Sequence, residues 1–206
     1  MTKAAVEAPG DTLVWLADTA ALTDARLAHY ALWLGQSERQ RHERFLRPLR
    51  RRQFVAGRAL LRMALGRLLA IEPAAIHLEE RPGQAPLLDP DYSSIGFSIS
   101  HSGRWVAVAA STQSLVGLDI ERIDPSRDVL ALAHQALSPE AIDALHACAQ
   151  EERIAAFYRL WCLHEAGIKL GAASAADYLF EHAGFAGALC CALRLPAAPV
   201  PVVVHL

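Results

Sequence analysis

The chain has no asparagine, few cysteines and almost no charge excess, and each shortage closes off a class of protein. Without asparagine there is no N-glycosylation acceptor. The four cysteines, Cys148, Cys162, Cys190 and Cys191, form no C-x-x-C pair. Cys190 and Cys191 are adjacent, so in a strand they point to opposite faces. Metal or redox use is not expected of them, and reduced, partly buried thiols are. A net charge of −2, from 20 basic and 22 acidic residues, supplies no global field toward nucleic acid or an anionic membrane. No apolar run approaches the roughly 18 residues needed to cross a bilayer. The first residues, MTKAAVEAPGD, lack a positive region followed by an apolar core, so no signal peptide is expected and the expected location is the cytoplasm. There is no G-x-x-x-x-G-K-[ST], no G-x-G-x-x-G and no H-E-x-x-H, which removes the P-loop, Rossmann and zincin readings. What is present is 53% hydrophobic and 20% charged residues over 206 positions, which excludes a disordered chain. The length suits one domain or two small halves sharing an interface.

Hydrophobic periodicity predicts the order of elements. Asp11 to Ala17 reads as a strand, Leu22 to Leu34 as a helix, and Ser37 as the N-cap of a short helix through Phe45. Pro48 opens a long helix to about Ile71, with Gly57 and Gly66 inside it as marks of close packing. Ile76 to Glu80 reads as a strand and Arg81 to Asp91 as loop. Phe97 to Ser100 alternates as a half-buried strand does, with His101-Ser102-Gly103 as the turn into Trp105 to Ser111. Leu115 to Glu121 is a further strand. Asp128 to Leu137 is helical, Ser138-Pro139 caps the next helix, and Glu151 to about Leu170 is another. Tyr178 to Glu181, Ala188 to Leu195 and Val202 to His205 complete the strands. The order strand–helices–strands occurs twice. It predicts an α+β fold of two similar halves, residues 1–112 and 113–206, although no residue-level repeat accompanies it.

Four constellations could carry chemistry. Asp119 and Glu121, two apart in a strand, share a face, with Leu118 and Ile120 turned to the core and both carboxylates outward. Like charges held together repel unless a cation neutralises them, and Mg²⁺ commonly takes one or two carboxylates plus substrate phosphates; on this pair alone a solvated strand end is the plainer reading. Trp161, Glu165 and Lys169 form one helical stripe, read either as an exposed Glu–Lys pair beside a packed Trp or as a third acid with a cation for phosphate. Ser100-His101-Ser102-Gly103 offers hydroxyls, an imidazole and turn amides suited to an anion, or is polar surface. A basic run, Arg39, Arg41, Arg44, Arg47, Arg50, Arg51 and Arg52, then Arg58, Arg62 and Arg67, suits a phosphorylated small molecule, an acidic protein partner or a solvated helix face. Without stacking aromatics or a zinc-finger spacing, nucleic acid is not expected.

Taken together, Phe97-Ser98-Ile99-Ser100-His101-Ser102-Gly103-Arg104-Trp105, Gly117-Leu118-Asp119-Ile120-Glu121 and Trp161-x-x-His164-Glu165-x-x-x-Lys169 resemble the signature blocks of the 4′-phosphopantetheinyl transferases, in the larger pseudodimeric (Sfp-type) class. The resemblance covers about residues 38 to 171. It implies two α+β halves with the active site between them, a monomer, coenzyme A as donor, Mg²⁺ as cofactor, and an acyl or peptidyl carrier protein as acceptor. By the same resemblance Asp119, Glu121 and Glu165 hold the metal, and Ser100 and His101 meet the 3′-phosphate side of coenzyme A. Arginines of the 41–58 stretch, among them Arg41, Arg52 and Arg58, hold that phosphate or meet the carrier, and Lys169 lies near the reacting pyrophosphate. Glu165 is the candidate general base. Three departures accompany it. His164 stands where the motif usually has Lys, so a fixed positive charge becomes conditional. Gln84 takes the place of a usual Lys in a G-K-P loop, with Arg81 as a substitute. The stretch after Gly171 is short. These departures motivate an alternative, a degenerate homologue that binds coenzyme A or a carrier without transfer. A hydrolase of a pyrophosphate-containing small molecule is a third reading.

Overall fold

The computed structural model describes residues 12–81 and 83–206. One run of elements is β1 (Thr12–Asp18), α1 (Asp24–Ala31), α2 (Gln36–Glu43), α3 (Pro48–Leu69), the short pair β2 (Leu78–Glu79) and β3 (Leu87–Leu88), then the hairpin β4 (Gly96–Ser102) and β5 (Trp105–Ser111). The next run is β6 (Val116–Arg122), α4 (Val129–Ala136), α5 (Pro139–Ala147), α6 (Gln150–Leu170) and the hairpin β7 (Ala176–His182) and β8 (Phe185–Cys191). The plan repeats: a strand, two short helices, one long helix, a hairpin. The sheets repeat with it, in the orders β4-β5-β1 and β7-β8-β6. A last strand, β9 (Pro201–Val203), returns to the first sheet and pairs parallel with β1 through Val14–Pro201, Trp15–Val202 and Leu16–Val203.

β5 and β8 are buried along their whole lengths, because both faces are covered. In β5, Val106, Val108 and Ala110 pack under α3, while Trp105, Ala107 and Ala109 face the other sheet. In β8, Ala186, Ala188 and Cys190 pack under α6, while Leu189 and Cys191 face inward. The layers are therefore α3, first sheet, second sheet, α6. Cys190 and Cys191 do point to opposite faces, and all four cysteines are free thiols. No helix among the described residues is long and apolar enough to cross a membrane.

Several local expectations shift. The start of the first strand, Asp11, and the N-terminal MTKAAVEAPGD lie outside the described residues. The cap of α2 is Gly35 rather than Ser37, because Glu38 folds back to accept the Gly35 N–H at 2.7 Å. Ser37 instead accepts the Glu80 N–H at 3.1 Å. The stretch Ile76 to Glu80 forms only two strand residues, paired to Leu87–Leu88 inside the expected loop. His101 and Ser102 extend β4 rather than turn. The last hairpin strand ends at Cys191, not Leu195. Gly66 has a packing role: a Cβ there would lie 2.6 Å from the Ile71 carbonyl oxygen, where the chain turns back after α3.

A chain of buried ions ties α2 and α3 to β2. Glu38, fully buried, accepts from Arg62 at 2.5 and 2.9 Å and meets Arg58 at 3.3 Å. Arg58 also donates to Glu80, which Arg41 contacts from the other side. Removing one partner of such a set leaves an uncompensated charge. Glu38→Ala is therefore expected to cost about 3–5 kcal/mol in a urea melt, whereas Glu38→Met with Arg62→Leu recovers most of that loss.

Candidate active site

The two sheets meet along β4 and β6 through side chains. Serines at every second position of β4 supply the acceptors that a backbone ladder would otherwise give. Ser98 Oγ accepts the Leu118 N–H at 3.0 Å, Ser100 Oγ the Ile120 N–H at 3.2 Å, and Ser102 Oγ the Arg122 N–H at 3.0 Å. Two of these hydroxyls also donate across the seam, Ser100 to Asp119 Oδ1 at 2.8 Å and Ser102 to Glu121 Oε2 at 2.7 Å. The strand alternation that sets the serines in register with the β6 amides thus also brings them to the two acids.

Gly117, Asp119 and Glu121 share the face of β6 beneath α6. A Cβ on Gly117 would lie 2.0 Å from the Ala166 carbonyl oxygen, so only glycine lets the helix approach this closely. The approach lays Lys169 on the acids: its Nζ donates to Asp119 Oδ1 at 2.7 Å, to Ser100 Oγ at 3.1 Å and to the Leu118 carbonyl at 3.1 Å. Lys169 is one of two lysines in the chain, with Lys3. Asp119 is buried, so the expectation that both carboxylates face outward fails: α6 covers that face. Its second oxygen, Oδ2, is buried with no nitrogen or oxygen donor among the described residues. Burial raises the Glu121 carboxyl above its usual range; the Ser102 hydrogen bond opposes this and the Asp119 charge adds to it. Cys162, on the same helix face, is pushed up by burial and then by both acids.

Glu165 and His164 lie half-buried on α6, one turn before Lys169, and no polar contact joins either to another described residue. Among the described residues no three of His, Cys, Asp or Glu gather closely enough to hold a metal. The position against Asp119 Oδ1 belongs to the Lys169 ammonium rather than to the Glu165 carboxylate. The donor set nonetheless fits Mg²⁺ in its two-carboxylate form: hard oxygens, an unpartnered buried Asp119 Oδ2, and a neighbouring acid whose charge is disfavoured without a cation.

Along β4 from Ser100, His101 forms a second cluster. Arg50 of α3 donates to its imidazole, nearest to Nε2, and to Gln53 Oε1 at 2.8 Å; Gln53 Nε2 donates to the Gly103 carbonyl at 2.6 Å. The His101 pKa is pushed down to about 4, first by burial and then by the Arg50 and Lys169 cations. His101 as a residue is exposed, and the two cations face its ring. Three other arginines of the run are committed elsewhere: Arg52 to the Thr19 carbonyl and Asp24, Arg58 to Glu80 and Glu38, Arg41 to Glu80. Gln84 is exposed in its turn and Arg81 donates to the Ala85 carbonyl. The structure therefore brings together Ser100, Asp119, Glu121 and Lys169, with His101 beside them. It leaves Arg41, Arg52 and Arg58 in structural pairs. Sequence reasoning misses Ser98 and Gln53, and takes Ser102 and Arg50 only as members of the Ser-His-Ser-Gly block and the basic run; the every-second-residue serines of the FSISHS block are the available signal.

Between about pH 6.5 and about 4 the unfolded chain binds a proton at His101 that the folded chain does not. This residue's contribution to stability is thus whole above that window and declines as pH falls through it. In an NMR histidine titration His101 is expected to stay neutral until about pH 4. Arg50→Gln raises that midpoint toward the ordinary value, and an unmoved midpoint removes Arg50 as a cause.

Comparison with known proteins agrees with this layout. Residues 22–113 match the family model "4′-phosphopantetheinyl transferase, N-terminal", and residues 115–182 match "4′-phosphopantetheinyl transferase superfamily". The chain is 30% identical to the 4′-phosphopantetheinyl transferase HetI of Nostoc sp. over 148 residues, 71% of this chain and 62% of that protein. It is 31% identical to the 4′-phosphopantetheinyl transferase Sfp of Bacillus subtilis (66% of this chain, 64% of that one). It is 33% identical to the 4′-phosphopantetheinyl transferase AcpT of Salmonella typhimurium (62% of each). The chain spans about three fifths of the length of the relatives it matches. With two matched regions flanking the seam, and the acid pair inside the second, the chain belongs to the 4′-phosphopantetheinyl transferase superfamily.

Proposed function

We propose that this chain moves the 4′-phosphopantetheine arm of coenzyme A onto a serine of an acyl or peptidyl carrier protein, with Mg²⁺, and releases adenosine 3′,5′-bisphosphate. The observation that carries the reading is the buried, unpartnered Oδ2 of Asp119 beside Glu121, at the seam of two repeated halves. Asp119 and Glu121 would hold the ion, with the substrate's phosphate oxygens completing its shell. When bound, magnesium offsets the negative charge that builds on the pyrophosphate during displacement at phosphorus.

The reaction forms one bond from the carrier serine Oγ to the phosphorus that bears pantetheine and breaks the bond from that phosphorus to the bridging oxygen. The leaving group is adenosine 3′,5′-bisphosphate, and the serine proton must pass to a base. Glu165 is half-buried and free of other polar contacts among the described residues, so its carboxylate is available for that proton. Lys169 brings a cation beside the acid pair, where it can turn toward developing phosphate charge. Ser100 has both lone pairs and its proton engaged, with Ile120, Lys169 and Asp119. Its part in this reading is to hold Asp119. The 3′-phosphate side of coenzyme A falls to His101, neutral at working pH, and to the Arg50 charge behind it.

Incubation with coenzyme A, Mg²⁺ and a panel of apo carrier proteins, read by mass spectrometry, is expected to add the mass of phosphopantetheine to at least one carrier. Tight coenzyme A binding without product on any carrier selects the non-transferring homologue, and phosphopantetheine released into solution selects hydrolysis. Asp119→Ala is expected to cut turnover about 10²-fold or more while the far-ultraviolet circular dichroism stays native. Ser102→Ala removes the donor that orients Glu121. It is expected to weaken Mg²⁺ binding about tenfold in a calorimetric titration with coenzyme A present, with recovery in Ser102→Thr.

A further inference from the structure

We infer that His134 and His146 form a binding site for a borderline divalent transition ion such as Zn²⁺, separate from the acid pair at the seam. His134 lies in the last turn of α4 and His146 in the last turn of α5. Only Leu137 and Ser138 separate the two helices, which pack on each other, and the two rings come within 6.2 Å centre to centre at a tilt of 53°. Both residues are exposed. Among the described residues neither imidazole has a hydrogen bond or an ion pair, and each has the other as its ring contact.

The surrounding charge favours a cation. Residues 128–152 hold five exposed acids, Asp128, Glu140, Asp143, Glu151 and Glu152, and neither lysine nor arginine. Arg153, just beyond, is taken up by the Leu145 and Cys148 carbonyls. Both histidines also sit at the carbonyl end of a helix, the negative end of its dipole. Imidazole nitrogen suits a borderline ion, whereas Mg²⁺ takes oxygen. An ion about 2.1 Å from one nitrogen of each ring would sit between ring centres roughly 5–6 Å apart. A small rotation of two exposed side chains closes the observed spacing to that. Two protein ligands leave the other positions to water, in keeping with the absence of a three-residue cluster among the described residues. Asp143, one turn before His146 on α5, is a neighbour that could accept from such a water. The ion would tie α4 to α5 on the side away from Val129, Ala133 and Leu145, which pack with Phe157 and Cys162 of α6.

The test titrates the full chain with zinc chloride by calorimetry, with Mg²⁺ in excess to occupy carboxylate sites, and follows the histidine ring signals by NMR. One equivalent is expected to bind, the His134 and His146 signals moving together and Tm rising with Zn²⁺ concentration. Mg²⁺ alone should leave both signals in place. His134→Gln and His146→Gln change exposed side chains and should keep the metal-free melting curve. Each is expected to weaken Zn²⁺ binding by more than about tenfold, the least that losing even an outer-shell partner costs. The two together should add little to either alone, because one lost ligand already breaks the pair. Zn²⁺ affinity unchanged in either single variant overturns the site. So does a wild-type titration that moves one ring without the other, moves neither, or fails to saturate at one equivalent, which would mean an adventitious ion only.

Discussion

The side-chain seam between β4 and β6 is the interaction on which the rest of the site depends. Sheet edges expose amides that need acceptors, and here three serine hydroxyls meet three consecutive outward amides of β6. A hydroxyl differs from a carbonyl in having a proton of its own to give. Ser100 and Ser102 give theirs to Asp119 and Glu121, so the contacts that join the halves also aim the acids. A backbone ladder would have closed the edge equally well and left both carboxylates unoriented. The seam and the acid pair are therefore a single construction.

The second constraint is distance. Gly117 gives up a side chain so that the α6 backbone can rest on β6, and only from that separation does Lys169 reach Asp119 and the Leu118 carbonyl together. The close approach also explains how a carboxylate can be buried at all, since a buried charge needs a partner and Lys169 is that partner. The arginines of the first half obey the same rule. Glu38 and Glu80 are buried, and they draw Arg41, Arg58 and Arg62 into ion pairs that hold helices together. What is left for ligands is the complement of that set.

Sequence patterns were clear where one physical signal acted alone. The fully apolar run Trp105 to Ser111 becomes β5 without change, and Ser138-Pro139 starts α5 as its side chain and ring dictate. The two long helices differ from their expected spans by a residue or two at the ends. The shared face of Asp119 and Glu121 was readable from strand alternation, but not its burial, because the cover comes from a helix more than forty residues on. Gly35 in place of Ser37 at the cap of α2 turns on whether Glu38 folds back or Ser37 turns to Glu80, a choice made by tertiary contact. The roles of the basic run were not legible for the same reason: a list of arginines does not show which buried acids will claim them.

The Asp119 carboxylate shows how far the arrangement constrains the chemistry. Its two oxygens are in different circumstances: Oδ1 accepts from a serine and a lysine, and Oδ2, although buried, has no nitrogen or oxygen donor among the described residues. A buried oxygen left bare costs free energy that neutral packing would avoid. Lys169 satisfies one side of the group and cannot satisfy both. The remaining lone pairs could accept from a second positive centre, and Glu121, its charge disfavoured by burial and by Asp119 and favoured by Ser102, lies beside the same position. The seam thus holds two acids whose demand one small cation would meet, and a divalent ion would answer both without adding bulk, which is what supports the proposed Mg²⁺.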